Sequence, residues 1–355
     1  MTFPKNAWYV ACAPDEIAER PLGRQICGEK IVFYRGEAHA PAAVEDFCPH
    51  RGAPLSLGFV KDGRLVCGYH GLEMGCEGRT LQMPGQRVQG FPRIRAYPVV
   101  ERHGFVWVWP GEAGAADPAK IPQLHWADDP AWAYGGGLYH INCDYRLMID
   151  NLMDLTHETY VHASSIGQKE IDEAPVSTKQ EDGDVVTSRF MDKIMAPPFW
   201  RAALRGGGLA DDIPVDRWQI CRFSLPSHVL IEVGVAHAGH GGYHADARHK
   251  VGSVVVDFIT PETETSHWYF WGMARNFAAE DRALTDRIRE GQGKIFSEDL
   301  EILQRQQQNL LQYPARRLLK LNIDAGGVMA RKLIDKAITQ ENGLNAPAGE
   351  LQNAS

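Results

Sequence analysis

The chain has 355 residues, with 37 Lys and Arg against 45 Asp and Glu, so its formal net charge is −8. That balance argues against a dedicated nucleic-acid binder, and the length predicts two domains with room for a large core. The seven cysteines are irregularly spaced, no apolar run is long enough to span a bilayer, and the first ten residues lack the pattern of a signal peptide. A reducing cytoplasm and metal-binding or catalytic cysteines are therefore expected in place of a disulfide framework.

Residues 1–112 read as a small all-β domain. Short runs such as Lys30–Tyr34 and Gly104–Pro110 are rich in β-branched and aromatic residues and are punctuated by Gly and Pro. The breaker-rich stretch Gly111–Pro118 is the candidate linker. Residues 113–345 read as a second, α+β domain with an antiparallel sheet and C-terminal helices. Within it, Asp144 to about His162 is expected to be helical, and Arg217–Val235 and Lys250–Phe270 to be strands. Asp281–Gln308 reads as a long amphipathic helix, and Gly326–Ile338 as another. Residues 346–355 are expected to form a flexible tail.

Two clusters carry metal chemistry. The first is Cys48-Pro-His50 followed, after sixteen intervening residues, by Cys67-Gly-Tyr-His70. Two thiolates and two imidazoles suit either a tetrahedral zinc or a [2Fe–2S] cluster with Cys on one iron and His on the other. A zinc finger usually pairs Cys with Cys and His with His along the chain. Here each short loop carries one of each, so each loop can send its Cys to one iron and its His to the other, which favours a Rieske centre. Gly52, Gly68 and Gly71 would let backbone N–H groups approach the sulfides, and Pro84-Gly85 would cover them. Cys12, Cys27, Cys76, Cys143 and Cys221 have no matching partners and are expected to be buried small hydrophobes.

The second cluster is Asn151-Leu-Met-Asp154-Leu-Thr-His157-Glu-Thr-Tyr-Val-His162. Five residues on a regular helix turn about 500°, so His157 and His162 share a metal only if the helix distorts or ends between them. Two His and one carboxylate make the facial triad of non-haem Fe(II) oxygenases. The carboxylate must come from elsewhere; Phe296-Ser-Glu298-Asp299-Leu-Glu301 offers three, and the residues alone do not choose among them. Asp154, three residues before His157, is placed to orient it, and Asn151 to join the same network.

The string Cys48-Pro-His50-Arg-Gly-Ala-Pro-Leu55, then Cys67-Gly-Tyr-His70-Gly71, then Asn151-x-x-Asp154-x-x-His157-x-x-Tyr160-x-His162, resembles the Rieske non-haem iron oxygenases. The resemblance runs from Ala7-Trp-Tyr-Val10 to about Asp335 and points to the O-demethylases of aromatic acids. It implies a [2Fe–2S] cluster on Cys48, His50, Cys67 and His70, and Fe(II) on His157, His162 and Asp299. It implies a head-to-tail homotrimer in which Asp154, supported by Asn151, links His70 of one subunit to His157 of the next. It further implies a separate flavin and ferredoxin-type reductase that takes electrons from NADH. The substrates would be O₂ and a small aromatic acid, whose methoxy group leaves as formaldehyde. Arg201, Arg205, Arg222 and His228 are candidates for the acid's carboxylate, and Phe199, Trp200 and Trp271 for the wall against its ring. The alternatives are an O-demethylase or hydroxylase of a different aromatic acid, a Rieske-type electron carrier, and a zinc-binding interaction protein. Some 240 residues beyond the first domain and a second iron motif weigh against a simple carrier.

Overall fold

The computed structural model describes residues 2–162 and 169–344; the expected tail, 346–355, lies outside them. The chain divides into two units. The first takes Met1–Gln123, Thr260–Glu264 and the segment from Asp335 on. The second takes Leu124–Ile259 and Thr265–Ile334.

The first unit is built from ten short strands: β1 (Tyr9–Cys12), β2 (Leu22–Ile26), β3 (Glu29–Arg35), β4 (Pro41–Glu45), β5 (Phe59–Lys61), β6 (Arg64–Val66), β7 (Glu73–Met74), β8 (Thr80–Gln82), β9 (Val99–Arg102) and β10 (Phe105–Val108). They form three small antiparallel sheets, ordered β1-β10-β9, β2-β3-β4 and β5-β6-β7-β8. Short strands with apolar residues turned inward bury one face each, and β3, β4, β6 and β7 share a cluster that includes Val32, Tyr34, Val44, Leu65 and Met74. Cys48 and Cys67 belong to that cluster, so the sulfurs sit on the hydrophobic core.

The second unit carries a seven-stranded antiparallel sheet. Its strands are β11 (Ala133–Ile141), β12 (Val176–Glu181), β13 (Asp184–Ile194), β14 (Val215–Ser224), β15 (His228–His237), β16 (Lys250–Thr263) and β17 (Ser266–Arg275), in the order β11-β17-β16-β15-β14-β13-β12. The runs Arg217–Val235 and Lys250–Phe270 are each a hairpin arm pair, broken at residues 225–227 and 264–265. Three strands escaped the sequence reading. β11 contains Gly135-Gly-Gly137, which reads as a breaker. β12 and β13 are polar on their open face and meet at Asp182-Gly183, whose positive φ values of 52° and 94° make a tight hairpin turn.

Among the described residues six α-helices complete the fold: α1 (Tyr145–Leu152), α2 (Glu158–Val161), α3 (Lys169–Glu173), α4 (Pro198–Gly206), α5 (Arg282–Gln312) and α6 (Ala325–Leu344). α5 is the long amphipathic helix expected from the sequence; Asp281 caps it by accepting from the Leu284 N–H at 2.8 Å. α5 packs close to the sheet because two glycines permit it. A Cβ on Gly135 would lie 2.9 Å from Thr285 Cγ2, and one on Gly293 would lie 2.9 Å from the Trp271 ring. α1 is tied to α5 by side chains: Gln307 accepts from the Asp144 N–H at 2.8 Å, and Asn151 donates to Asp299. Among the described residues no helix is long and apolar enough to cross a membrane.

Candidate metal centres and the cavity of the second unit

The two loops of the first unit are copies of one turn. The Cys48 N–H donates to Ala53 O at 2.9 Å, and the Gly52 N–H donates back to Cys48 O at 2.8 Å. The Cys67 N–H donates to Leu72 O at 2.9 Å, and the Gly71 N–H donates back to Cys67 O at 3.0 Å. The fifth residue of each turn is glycine at φ of 70° or 72°, a left-handed conformation that costs other residues strain. Each turn buries its cysteine and exposes its histidine. The His50 and His70 rings lie 4.7 Å apart between centroids.

Cys48 and Cys67 are side-chain neighbours. Burial pushes the Cys48 thiol up, the Cys67 thiol beside it adds to the effect, and the backbone N–H groups of His50 and Arg51, donated to its sulfur, oppose it. Two adjacent sulfurs with N–H donors and two adjacent imidazoles fit a [2Fe–2S] cluster. Pro84 covers the second loop, 3.3 Å from where a Gly71 Cβ would stand. At Gly68 a Cβ would strike Leu57 O at 2.9 Å, so this glycine admits a neighbouring carbonyl. Large apolar side chains are exposed near the histidines, among them Tyr69, whose ring is 4.0 Å from that of His70, and Phe91.

In the second unit α1 ends at Leu152, before either histidine of the other motif. His157 stands at the start of the single turn α2 and His162 directly after it. The histidines flank that single turn, one at each end, and His162 has left the helical conformation, so neither imidazole sits inside a regular helix. His157, His162 and Asp299 bring one ligand atom each within 4.8 Å of one another. Asp299 Oδ1 is 3.7 Å from His157 Nε2, and Oδ2 is 3.3 Å from His162 Nε2.

The cluster is held from behind. His157 Nδ1 bonds Asp154 O at 2.7 Å, and His162 Nδ1 bonds Glu298 Oε2 at 2.7 Å. Asn151 Nδ2 donates to Asp299 Oδ1 at 3.0 Å. Both histidines therefore turn Nε2 toward the carboxylate, with their other nitrogen held from behind, the arrangement that orients metal ligands. Burial pulls the His162 pKa down, but the Asp299 and Glu298 carboxylates outweigh it and hold it above the ordinary value. Carboxylates that favour a proton there favour a cation as well. The donor set fits a mononuclear iron with open positions.

Asp154 acts within the chain through its main chain. Its carboxylate Oδ1 accepts from the Thr156 N–H and hydroxyl, both at 2.7 Å, and fixes the loop that presents His157. Glu301 pairs with Arg305 on the exposed side of α5, so of the three candidate acids Asp299 faces the histidines, Glu298 backs one of them and Glu301 faces away.

A cavity of about 400 Å³ opens between β14 and α5, within the range of small-molecule sites. Phe199, Trp200, Val233, Val255, Met273 and Ile288 make it mainly apolar. Ile295, also on its wall, precedes Asp299 by one helical turn, about 6 Å of rise. Gln219 lines it from β14 and donates to both Glu158 oxygens at 2.8 and 3.0 Å; Glu158 follows His157 in the chain. Phe199 and Trp200, expected beside the substrate ring, line this cavity, whereas Trp271 packs against Phe296. None of the four expected carboxylate partners lines it. Arg201 and Arg205 pair with Asp211, Arg222 pairs with Glu181 and Asp184, and His228 is buried against Phe258. The polar residues on the wall are Arg217, Gln219, Arg287 and Gln292. Arg217 and Gln219 carry a signal in the sequence: two polar side chains, two apart, inside a strand whose other residues are largely apolar.

A mainly β unit with paired Cys/His turns and an antiparallel-sheet unit with a His-His-Asp cluster define a Rieske-type non-haem iron oxygenase. Comparison with known proteins agrees. The Rieske [2Fe-2S] domain family matches residues 7–98, and the vanillate O-demethylase oxygenase C-terminal domain family matches residues 141–340. The chain is 76% identical over 339 residues to the vanillate O-demethylase oxygenase subunit of Pseudomonas sp. (strain HR199 / DSM 7063), covering 96% of both chains. It is 36% identical over 306 residues to the oxygenase component of dicamba O-demethylase of Stenotrophomonas maltophilia, covering 85% of this chain and 87% of that one. A crystal structure of dicamba monooxygenase bound to 3,6-dichlorosalicylic acid superposes with a TM-score of 0.89 at 33% identity, over 96% of this chain and 99% of that one. The chain belongs to the Rieske oxygenases whose catalytic domain is of the vanillate O-demethylase type.

Proposed function

We propose that this chain is the terminal oxygenase of a two-component system that converts vanillate, O₂ and NADH with a proton into protocatechuate, formaldehyde, water and NAD⁺. The observation that carries the reading is the convergence of His157 Nε2 and His162 Nε2 on the Asp299 carboxylate in a chain that also holds the paired Cys/His turns. Residues 1–112 are the Rieske domain and residues 113–345 the catalytic domain. Cys48, His50, Cys67 and His70 hold the [2Fe–2S] cluster, and His157, His162 and Asp299 hold Fe(II). When bound, the cluster supplies single electrons and the Fe(II) supplies O₂ activation for hydroxylation of the methoxy carbon.

The chain's own residues do the rest. Asp154 O and Glu298 fix the imidazoles, so that Nε2 is the ligand atom of each. Asn151 holds one oxygen of Asp299 and limits its rotation. The apolar wall takes the aromatic ring and keeps water from the reacting carbon. Hydroxylation at that carbon gives a hemiacetal, which collapses to the phenol and formaldehyde.

A separate flavin and ferredoxin-type reductase delivers the electrons from NADH, in the cytoplasm. The active assembly is a head-to-tail homotrimer. Exposure of His50 and His70 among apolar side chains such as Tyr69, 61% exposed, supports docking through this surface. In the trimer Asp154, helped by Asn151, links His70 of one subunit to His157 of the next.

Formaldehyde release from vanillate by the iron-replete protein, with NADH, O₂ and the reductase, tests the reading. Formaldehyde in a one-to-one ratio with NADH consumed is expected. NADH oxidation yielding peroxide and no formaldehyde would reject vanillate as the substrate.

A further inference from the structure

We propose that Gly291 is a specificity-determining residue: its missing Cβ opens the part of the cavity that takes the acid-bearing end of the aromatic substrate. The inference rests on the reading of the cavity between β14 and α5 as the substrate site. α5 contains two glycines, Gly291 and Gly293, and both stand in the helix interior, where glycine is less favourable than alanine. They differ in what their missing side chains would meet. A Cβ on Gly293 would lie 2.9 Å from the Trp271 ring and 3.1 Å from the Tyr139 hydroxyl oxygen, so packing requires that glycine. A Cβ on Gly291 would meet no neighbour within 4 Å. Packing within the chain does not require a glycine there.

The open space belongs to the cavity. Leu284, Arg287, Ile288, Gln292 and Ile295 line it from α5 together with Gly291. Three of them precede Gly291 by seven, four and three residues, and Ile295 follows it by four. That spacing puts Gly291 on the centre line of the helix face turned to the cavity. A side chain at this position would enter the cavity, and glycine leaves the volume to a ligand.

The same face decides which end of the substrate passes Gly291. Arg287, Gly291, Ile295 and Asp299 follow one another at intervals of four residues, about 6 Å of rise each, along one ridge of α5. Asp299 brings its carboxylate to His157 and His162 at the far end of that ridge, so the methoxy group has to lie there. Ile295 then flanks the ring, and the opposite end of the ring extends toward Gly291, about 12 Å from Asp299 along the helix axis. The two polar residues that α5 turns to the cavity, Arg287 and Gln292, stand on either side of Gly291 in the chain. Arg287 reaches Asp281 only at 4.0 Å. A carboxylate beside Gly291 therefore finds polar groups on the helix, and a Cβ there would displace it together with the ring.

The test uses Gly291→Ala and Gly291→Val, with Gly293→Ala as the packing control, all as the reduced, iron-loaded enzyme. Anaerobic titration calorimetry gives Kd for vanillate and for guaiacol, the same methoxyphenol without the carboxylate. Scanning calorimetry gives Tm. Gly291→Ala should weaken vanillate binding about tenfold and Gly291→Val about 100-fold, the range expected when a filled site is overpacked. Guaiacol, which does not reach Gly291, should change by no more than about threefold in Gly291→Ala. Gly291→Ala should also raise Tm by about 2–4 °C, because alanine favours the helix, whereas Gly293→Ala should lower Tm. Stability gained with affinity lost separates a specificity role from a structural one. An unchanged vanillate Kd in Gly291→Val overturns the proposal. Equal losses for vanillate and guaiacol overturn it too, as does a fall in Tm in Gly291→Ala. The two readings fail separately. Wild type that demethylates vanillate, with a Kd indifferent to Gly291→Val, refutes the role of Gly291 alone. Wild type that releases no formaldehyde from vanillate, yet binds 4-hydroxybenzoate more weakly after Gly291→Ala, refutes the substrate alone.

Discussion

Glu298 Oε2 lies 2.7 Å from His162 Nδ1, while the next residue, Asp299, faces Nε2 of the same imidazole from 3.3 Å. Adjacent acids on one helix thus grip opposite edges of one ring. Asp299 is the acid that reaches the metal-ligand cluster, and Glu298 sets the tautomer and direction of His162.

Glu298→Ala should therefore weaken Fe(II) binding about 10- to 100-fold without emptying the site. Glu298→Gln, which keeps an acceptor, should lose less. Asp299→Ala should remove the mononuclear iron, so that iron content falls from about three to about two per chain. Metal analysis together with the visible spectrum of the cluster checks all three variants. The spectrum should stay unchanged throughout.

Gly71 sits at φ 72° with Pro84 Cγ 3.3 Å from its missing Cβ, whereas Gly85 sits at φ 69° with open space around it. Gly85→Ala should cost only the left-handed strain, about 1–2 kcal/mol. Gly71→Ala should cost more, because Pro84 must also move. Thermal bleaching of the cluster's absorbance gives the order, and equal losses would show that Pro84 contributes nothing there.

Asp154→Asn keeps an amide oxygen for the Thr156 N–H and hydroxyl, and the main-chain carbonyl for His157 is untouched. Both metal contents should stay at wild-type levels. In the proposed trimer, electron transfer between subunits should slow sharply, read as the rate of cluster oxidation in a single turnover with substrate and O₂. Full turnover in this variant would remove Asp154 from the path.

Asp257 is fully buried on β16 and accepts from the Tyr269 hydroxyl at 2.6 Å. Burial, with a smaller push from Asp299, raises its pKa from 3.8 to about 8, and the Tyr269 bond opposes the rise. A raised folded-state pKa means that the native state holds this proton more tightly than the unfolded chain. The associated stability is fully present below about pH 4 and is lost as pH climbs through 8. The Tm advantage of Asp257→Asn over wild type should therefore grow between pH 5 and pH 8. A difference that stays constant across that range would show Asp257 ionised at neutral pH in the fold.

The Rieske turns were legible because their information is local. Cys48-x-His50 and Cys67-x-x-His70 each sit in one tight turn closed by a glycine, and short-range geometry settles where such side chains point. That His157 and His162 cannot both sit inside one regular helix was legible for the same reason, and they stand at the two ends of the single turn α2. The polar strands β12 and β13 and the glycine-rich β11 were not, because their strand state depends on neighbours in the sheet.

By itself, then, the sequence determined the two metal-donor motifs, the β character of the first domain and the long helix α5, all set by patterns within a few turns of chain. Only the tertiary structure decided which acid on α5 meets the histidines, and that Arg217 lines the cavity whereas Arg201, Arg205, Arg222 and His228 do not. Those choices join residues more than 50 positions apart, and the face that each presents follows from the packing of α5 on the sheet. No local periodicity encodes it.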